Sequence, residues 1–325
     1  LCILFRCQQP KTGERFGFFG ILTVDYRYYY KYHNSALGGG RLMTIKKKTG
    51  DIYSLIFCYA ILLIGTVVVL FPILWMFKTS ISPFKEIFSD PTRIIPSSIS
   101  FDSYIGLVNK MPILRWFGNT FFVSIISTLI VLCITVPSAY VLARQQFAAK
   151  KTINVIITTC NAIPKAALFL PYLTASMALK IYNTHSSLII VYVGMLSPFA
   201  VIILSSYFAT IPSSLEEAAM IDGCNTLTAI LRVILPVSMP GMLSVGIYGF
   251  INAWTEFFYA LVLTSSDNMR TLTVGLVTFF EQAGFIQDFT QVSAGAIVSI
   301  IPVIIVFLLL QKFFVQGMTA GAVKM

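Results

Sequence analysis

The chain has 325 residues, 57% of them apolar and only 11% charged, with a formal charge of +10 and a mean hydropathy of +0.82. Soluble domains carry about 25% charged residues, so this composition excludes a pair of soluble domains and implies several membrane spans. In so apolar a chain the positive charge reads as membrane topology, and no nucleic-acid partner is expected.

The first residues are read as foreign to the fold. "FGFFGILTV" (Phe16–Val24) is too short to span and lacks the flanks of a signal peptide. "YRYYYKY" (Tyr26–Tyr32) fits no pattern. Met43, followed by Lys46, Lys47 and Lys48, looks like a natural start, and the preceding Gly run is what a purine-rich ribosome-binding site gives when read in frame. Residues 1–42 are therefore expected to be a non-native, disordered extension. A product of the native gene that begins before Met43 would contradict this.

Six segments carry roughly 20 apolar residues each, enough to cross a bilayer. They are Ile52–Phe77, Trp116–Ala143, Thr152–Leu179, Ser186–Ser206, Pro240–Leu263 and Phe289–Gln311. Backbone groups in lipid must be paired within the segment, so all six are expected as helices and the fold as all-α and polytopic. Pro72, Pro137, Pro164, Pro171, Pro198 and Pro302 interrupt them, and kinks are expected there. Residues 43–113 would form the first span and outer loop, 114–314 the core, and 315–325 a cytoplasmic tail. Lys46–Lys48, Arg144, Lys150 and Lys151 flank short connections and favour both termini inside, although Lys78, Lys85, Arg93, Lys110 and Arg115 fall in the first outer loop. The second outer loop, Thr264–Asp288, has a partly apolar middle that suits a short helix.

Chemistry-bearing clusters are sparse. Cys2, Cys7, Cys58, Cys133, Cys160 and Cys224 suggest no disulfide framework, and with His33 and His185 they form no metal-ligand pattern. "KKKTG" (Lys46–Gly50) lacks the glycines of a phosphate-binding loop, so the chain is not expected to hydrolyse ATP.

Between the fourth and fifth spans lies "SSLEEAAMIDGCNTLTAILRVILP" (Ser213–Pro236), with three carboxylates and an arginine. It reads as helix–turn–helix. Ser213 with Glu216, and Ser214 with Glu217, have capping-box spacing. Asp222-Gly223 breaks the first helix, with Gly223 free to take a left-handed cap. Asn225 or Thr226 starts the second helix, and Pro236 is expected to end it. Ala218 and Ala219 offer a small flat face, and Glu217 and Asp222 suit basic partners. An amphipathic pair lying on the bilayer is the alternative, but such helices carry Lys and Arg on their polar face, so a protein partner is the better reading.

Glu217-Ala218-Ala219, Gly223, Val233 and Leu235-Pro236 match the spacing of the EAA motif, with Val in place of Ile. "RWFGNT" (Arg115–Thr120), "NAWTEF" (Asn252–Phe257) and "GMTAGAVK" (Gly317–Lys324) add to the match. From Met43 to Met325 the chain resembles permease subunits of bacterial ABC importers, of the carbohydrate type that includes the smaller maltose-transporter permease. The resemblance implies a type I importer fold with six transmembrane helices, both termini inside, in the bacterial cytoplasmic membrane. It implies a second homologous permease, an ATPase dimer that binds the ATP and Mg, and an extracytoplasmic solute-binding protein. It makes Glu217, Ala218, Ala219, Asp222, Gly223, Leu235 and Pro236 the coupling segment that docks on the ATPase. The tail Thr319–Met325 would touch the same partner, although relatives often end in Gly where this chain ends in Met325.

Two ionisable residues sit inside expected spans, Lys165 and Glu256, and such residues are functional candidates. Asn252 is one turn from Glu256, and Trp254 suits a sugar ring, so Asn252, Trp254, Glu256 and Lys165 are candidate path residues. A bundle-facing acid that pairs with a neighbouring helix is the alternative for Glu256. An ion-coupled carrier using Glu256 is the competing function, and a membrane enzyme finds no constellation to support it.

Overall fold

Segments that must pair every backbone group internally become helices, and helices are the regular structure found among the described residues. A computed structural model of the chain describes residues 49–283 and 289–322. The start at Met43, Lys46–Lys48, the expected extension 1–42, part of the second outer loop and the end of the tail lie outside them.

The chain divides into two packing units, residues 1–74 and 75–325. Helix α1 (Thr49–Ser80) supplies the described part of the first unit. Most of its apolar side chains from Ile56 to Leu74, including Leu63 and Val69, are exposed, which suits lipid rather than water. Its last turn belongs to the second unit. There Lys78, expected in the outer loop, is a buried helix residue with its Nζ 5.3 Å over the Trp75 ring.

The second unit continues through α2 (Phe84–Ser89), α3 (Asp102–Lys110), α4 (Ile113–Arg144), α5 (Lys150–Ala162), a 3-10 turn (Lys165–Leu168), α6 (Phe169–Ala178) and α7 (His185–Phe208). Then come α8 (Ser214–Ile221), α9 (Thr226–Ala229), a π turn (Ile230–Ile234), α10 (Leu235–Val237), α11 (Met239–Trp254), α12 (Phe258–Leu263), α13 (Leu272–Ala283) and α14 (Phe289–Ala322). α13 is the short helix expected in the second outer loop.

Two expected spans are not straight helices. Thr152–Leu179 is bent by 93° between α5 and the 3-10 turn. Pro164 cannot donate, and it pushes Ile163 out of the helical region to φ −69°, ψ 125°. Pro240–Leu263 is split at Thr255–Phe257 into α11 and α12. The helix instead runs on through Pro72, Pro137, Pro198 and Pro302. Among the described residues four helices are long and apolar enough to cross a membrane, and up to six spans result if two bent pairs count as one each.

α4, α7 and α11 make the centre. Val123, Val131, Leu188, Leu196, Leu204 and Val245 share one buried cluster. Lipid gives no hydrophobic drive for this, so close fit has to supply the attraction. Small side chains permit it: Ser124, Ser127, Ala139 and Ala200 are fully covered. The hydroxyls of Thr120, Thr128 and Thr135 donate to carbonyls one turn back on α4, at 2.8, 2.7 and 2.7 Å, so no buried donor of theirs is left open.

"RWFGNT" acquires a role at the N-terminal end of α4. Trp116 Nε1 donates to Asp267 O at 2.9 Å, and Asn119 Nδ2 donates to Asn268 O and Arg270 O, each at 2.9 Å. Thr120 Oγ1 accepts from Leu272 N at 2.7 Å. Three side chains on one face thus bind the strand of chain that leads into α13, and a second buried cluster of Leu107, Trp116, Phe250, Trp254, Leu272 and Leu276 forms beneath it. Gly275 lets α13 come this close, because a Cβ there would lie 2.2 Å from Trp116 Cδ2. Gly275→Ala should therefore cost about 1–3 kcal/mol, read as a lower unfolding temperature in detergent. An unchanged temperature would mean that α13 is not seated on Trp116.

Glu86 anchors the chain between α2 and α3. Its carboxylate accepts from Ser97 N at 3.0 Å on both oxygens and from the Ser97 hydroxyl, and lies 3.6 Å from Arg93 Nε. The Ser97 hydroxyl and then its N–H hold this carboxyl below the usual value, with Arg93 helping and burial opposing. A depressed carboxyl contributes stability that is full above its unfolded pKa and is lost as pH falls through its folded value. Protection of the Ser97 amide from hydrogen exchange should accordingly fall in acid, and Glu86→Gln should flatten that dependence.

Candidate functional site

The charged segment folds as two helices about a glycine turn. Gly223 has φ +86°, the left-handed region, and nothing lies within 4 Å of where its Cβ would be, so the backbone and not space demands glycine. Gly223 N donates to Met220 O at 3.1 Å and Cys224 N to Ala219 O at 3.0 Å. These two bonds close a Schellman cap on α8. Asn225 caps the second helix, accepting from Thr228 N at 2.8 Å.

Two local expectations differ. Ser213 is already helical and makes no side-chain cap bond, so the Ser213–Glu216 capping box does not form. Glu216 is taken by a stronger partner: Arg144 Nε lies 2.8 Å from its Oε1, and Tyr140 OH donates to its Oε2 at 3.0 Å. Pro236 does not end the second helix. A π turn at Ile230–Ile234 precedes it and the helix runs on to Val237, because the wider turn spares the proline its clash with the carbonyl one turn back. The chain then bends by 70° before α11.

Of the expected coupling residues, Glu217, Ala218, Asp222 and Gly223 are exposed, as is Pro236. Val233 and Leu235 are half-buried. Ala219 is buried, so it packs inward and only Ala218 of the alanine pair is open. Sequence reading missed the apolar part of this face. Met220, Ile221, Leu227 and Leu231 are exposed, Ile221 at 86%.

The candidate path residues separate into two groups. Lys165, Tyr192, Asn252, Glu256, Phe257 and Phe258 line a cavity of about 460 Å³ at the break between α11 and α12. A larger depression of about 610 Å³ along Gln146–Thr159 is more open and holds none of the candidates. Glu256 makes the break possible. Its carboxylate accepts from Tyr192 OH at 2.8 Å, Tyr259 N at 2.9 Å and Ala260 N at 3.0 Å, so it caps α12. Asn252 Nδ2 donates to Tyr248 O at 2.8 Å and leaves its carbonyl oxygen available to the cavity. The Lys165 carbonyl accepts from Tyr259 OH, which ties the bend after Pro164 to the same place.

Trp254 is not there. It is 1% exposed, its Nε1 donates to Ser299 O at 3.0 Å, and it stacks on Phe250 with centroids 5.6 Å apart. Residues 252 and 254 lie about 200° apart around α11, so Trp254 faces away from the cavity that Asn252 lines. Among the described residues no group of His, Cys, Asp and Glu could hold a metal ion.

Glu256→Ala would leave two amides and the Tyr192 hydroxyl without an acceptor, and should lower stability by roughly 2–4 kcal/mol. Glu256→Gln keeps one acceptor oxygen and should cost less. Equal unfolding temperatures for both variants would contradict the capping role.

Residues 135–320 match the family described as binding-protein-dependent transport system inner membrane component. The inner membrane ABC transporter permease protein YcjP of Escherichia coli is 35% identical, over 82% of this chain and 95% of the relative. The sulfoquinovosyl glycerol transport system permease protein SmoH of Agrobacterium fabrum is 34% identical, over 78% of this chain and 89% of the relative. A solved bacterial ABC transporter involved in import of the acidic polysaccharide alginate contains a chain similar at a TM-score of 0.71 and 26% identity, covering 83% of this chain and all of that one.

Proposed function

The chain belongs to the family of binding-protein-dependent transport system inner membrane components, and from that premise we propose that it forms, with a second homologous permease, the path of a sugar or sugar-like solute. It is a multi-pass transport subunit of the bacterial inner membrane and not an enzyme. ATP and Mg belong to a separate ATPase dimer, and an extracytoplasmic binding protein delivers the solute. Both termini and the turn at Gly223 face the cytoplasm. The sugar class is supported by the names of the relatives, a sulfoquinovosyl glycerol permease and an alginate importer.

One observation carries the coupling reading. The turn exposes two carboxylates, Glu217 and Asp222, beside Ile221 and Leu227, on a backbone fixed by the Schellman cap. Bare apolar groups beside two acids suit a groove with basic residues on a protein better than a lipid surface. ATP binding closes the ATPase dimer, the docked turn follows, and the spans alternate between inward-facing and outward-facing states. Lys165 and Asn252 line the solute path, Glu256 holds the helix break that shapes it, and Trp254 stiffens the helix behind it.

The runner-up, an ion-coupled carrier using Glu256, is not favoured, since that carboxylate already has three donors. Uptake that survives loss of ATP while a proton gradient is held would revive it. Under the coupling reading, Glu217→Lys and Gly223→Asp should each abolish uptake while the chain still inserts. Reversing the charge of the facing group on the ATPase should restore Glu217→Lys. Normal uptake by cells carrying either variant would contradict the reading.

A further inference from the structure

The residues that meet the ATPase in this reading are not the ones that hold the turn to the spans. That second task falls to a group that sequence motifs did not mark. Arg144 is the last residue of α4, and Tyr140 lies one turn earlier on the same face. Glu216 is in the first turn of α8, beside the exposed Glu217 but directed inward. The guanidinium makes two attachments: Nε lies 2.8 Å from Glu216 Oε1, an ion pair off the hydrogen-bond line, and an Nη2 hydrogen bond of 2.8 Å runs to Ile211 O. Tyr140 OH holds the other carboxylate oxygen at 3.0 Å, and the Tyr140 ring meets Phe208 edge-on at 5.9 Å. The pair is well covered, with Arg144 15% and Glu216 14% exposed.

The chain itself links α7 to α8 only through Ala209–Ser213, a short connection that a push on the turn would bend. Ile211 lies in that connection. One guanidinium therefore grips both the connection and the helix beyond it, and a two-point grip blocks the swivel that a single contact would leave. Lysine could not do this, because it lacks the flat fork.

We propose that Arg144, Glu216 and Tyr140 form a rigid joint through which displacement of the turn becomes displacement of α4. The joint rests on the coupling reading above and adds the route that the motion takes into the spans. Arg144 and Glu216 are positioning residues and touch neither solute nor nucleotide.

The test uses the complete complex in vesicles and measures uptake and ATP hydrolysis together. Glu216→Gln, Arg144→Lys and Tyr140→Phe should assemble with the ATPase at the normal ratio and hydrolyse ATP. Uptake per ATP should fall by about tenfold for the first two and less for Tyr140→Phe. The exchange Arg144→Glu with Glu216→Arg should recover uptake per ATP relative to Arg144→Glu alone. A purely structural ion pair would instead lower uptake, hydrolysis and recovered complex in proportion, and that result overturns the joint. An unchanged uptake-to-hydrolysis ratio in Tyr140→Phe and Arg144→Lys overturns it as well. If the unaltered chain assembles with no ATPase, the coupling reading itself has failed; if it couples normally and so do the variants, only the joint has.

Discussion

In lipid, a backbone that leaves the helix must find its partners in the protein, and the fold is organised by how it pays that cost. Three interruptions show the rule. At the α11–α12 break, Glu256 takes the first amides of α12. Beyond α6, Asn183 sits at φ +58° and accepts from Ser265 N and Ser266 N at 2.9 and 3.1 Å. Beyond α12, Trp116, Asn119 and Thr120 supply the partners for Asp267–Leu272. The last two are closed by side chains from a distant part of the sequence, and Glu256, though local to its break, also holds Tyr192 from 64 residues away, so the breaks also fix the tertiary arrangement.

The same rule explains where the cavity lies. A helix break creates a cavity, and a cavity within an apolar slab is where a polar solute finds hydrogen bonds. Lys165 and Asn252 stand at such a place because Pro164 and Glu256 interrupt two helices side by side. Outside the slab the logic reverses. At Gly223 the backbone is paired within its own turn, so side chains such as Glu217 and Ile221 are left for something else. Between these two regions run α4 and the Arg144–Glu216 contact, which gives the turn a mechanical hold on the centre.

Much of this was legible in the sequence. Hydropathy located the long helices, and Asp222-Gly223 and Asn225 marked the turn, because those signals are local. The EAA spacing and "RWFGNT" located the family. What was illegible depended on partners far along the chain. Pro164 breaks its helix whereas Pro137 and Pro198 do not, and nothing next to them in sequence says so. Glu216 was assigned to Ser213 by spacing and belongs to Arg144 and Tyr140, the latter 76 residues away. Trp254 was grouped with Asn252 and Glu256 because they are adjacent in sequence, although helical periodicity alone would have set it on the other side.

If the turn at Gly223 seats an ATPase, that partner should stay with the chain when it leaves the membrane. The direct measurement is a gentle-detergent purification of the tagged chain from its own membranes, with the co-purifying proteins identified by mass. An ATPase subunit and a second permease should come with it in fixed ratio, and the Glu217→Lys, Asp222→Lys double variant should lose the ATPase while keeping the second permease. A chain that purifies alone, under conditions that keep other such complexes intact, would contradict it and leave the charged segment without a partner.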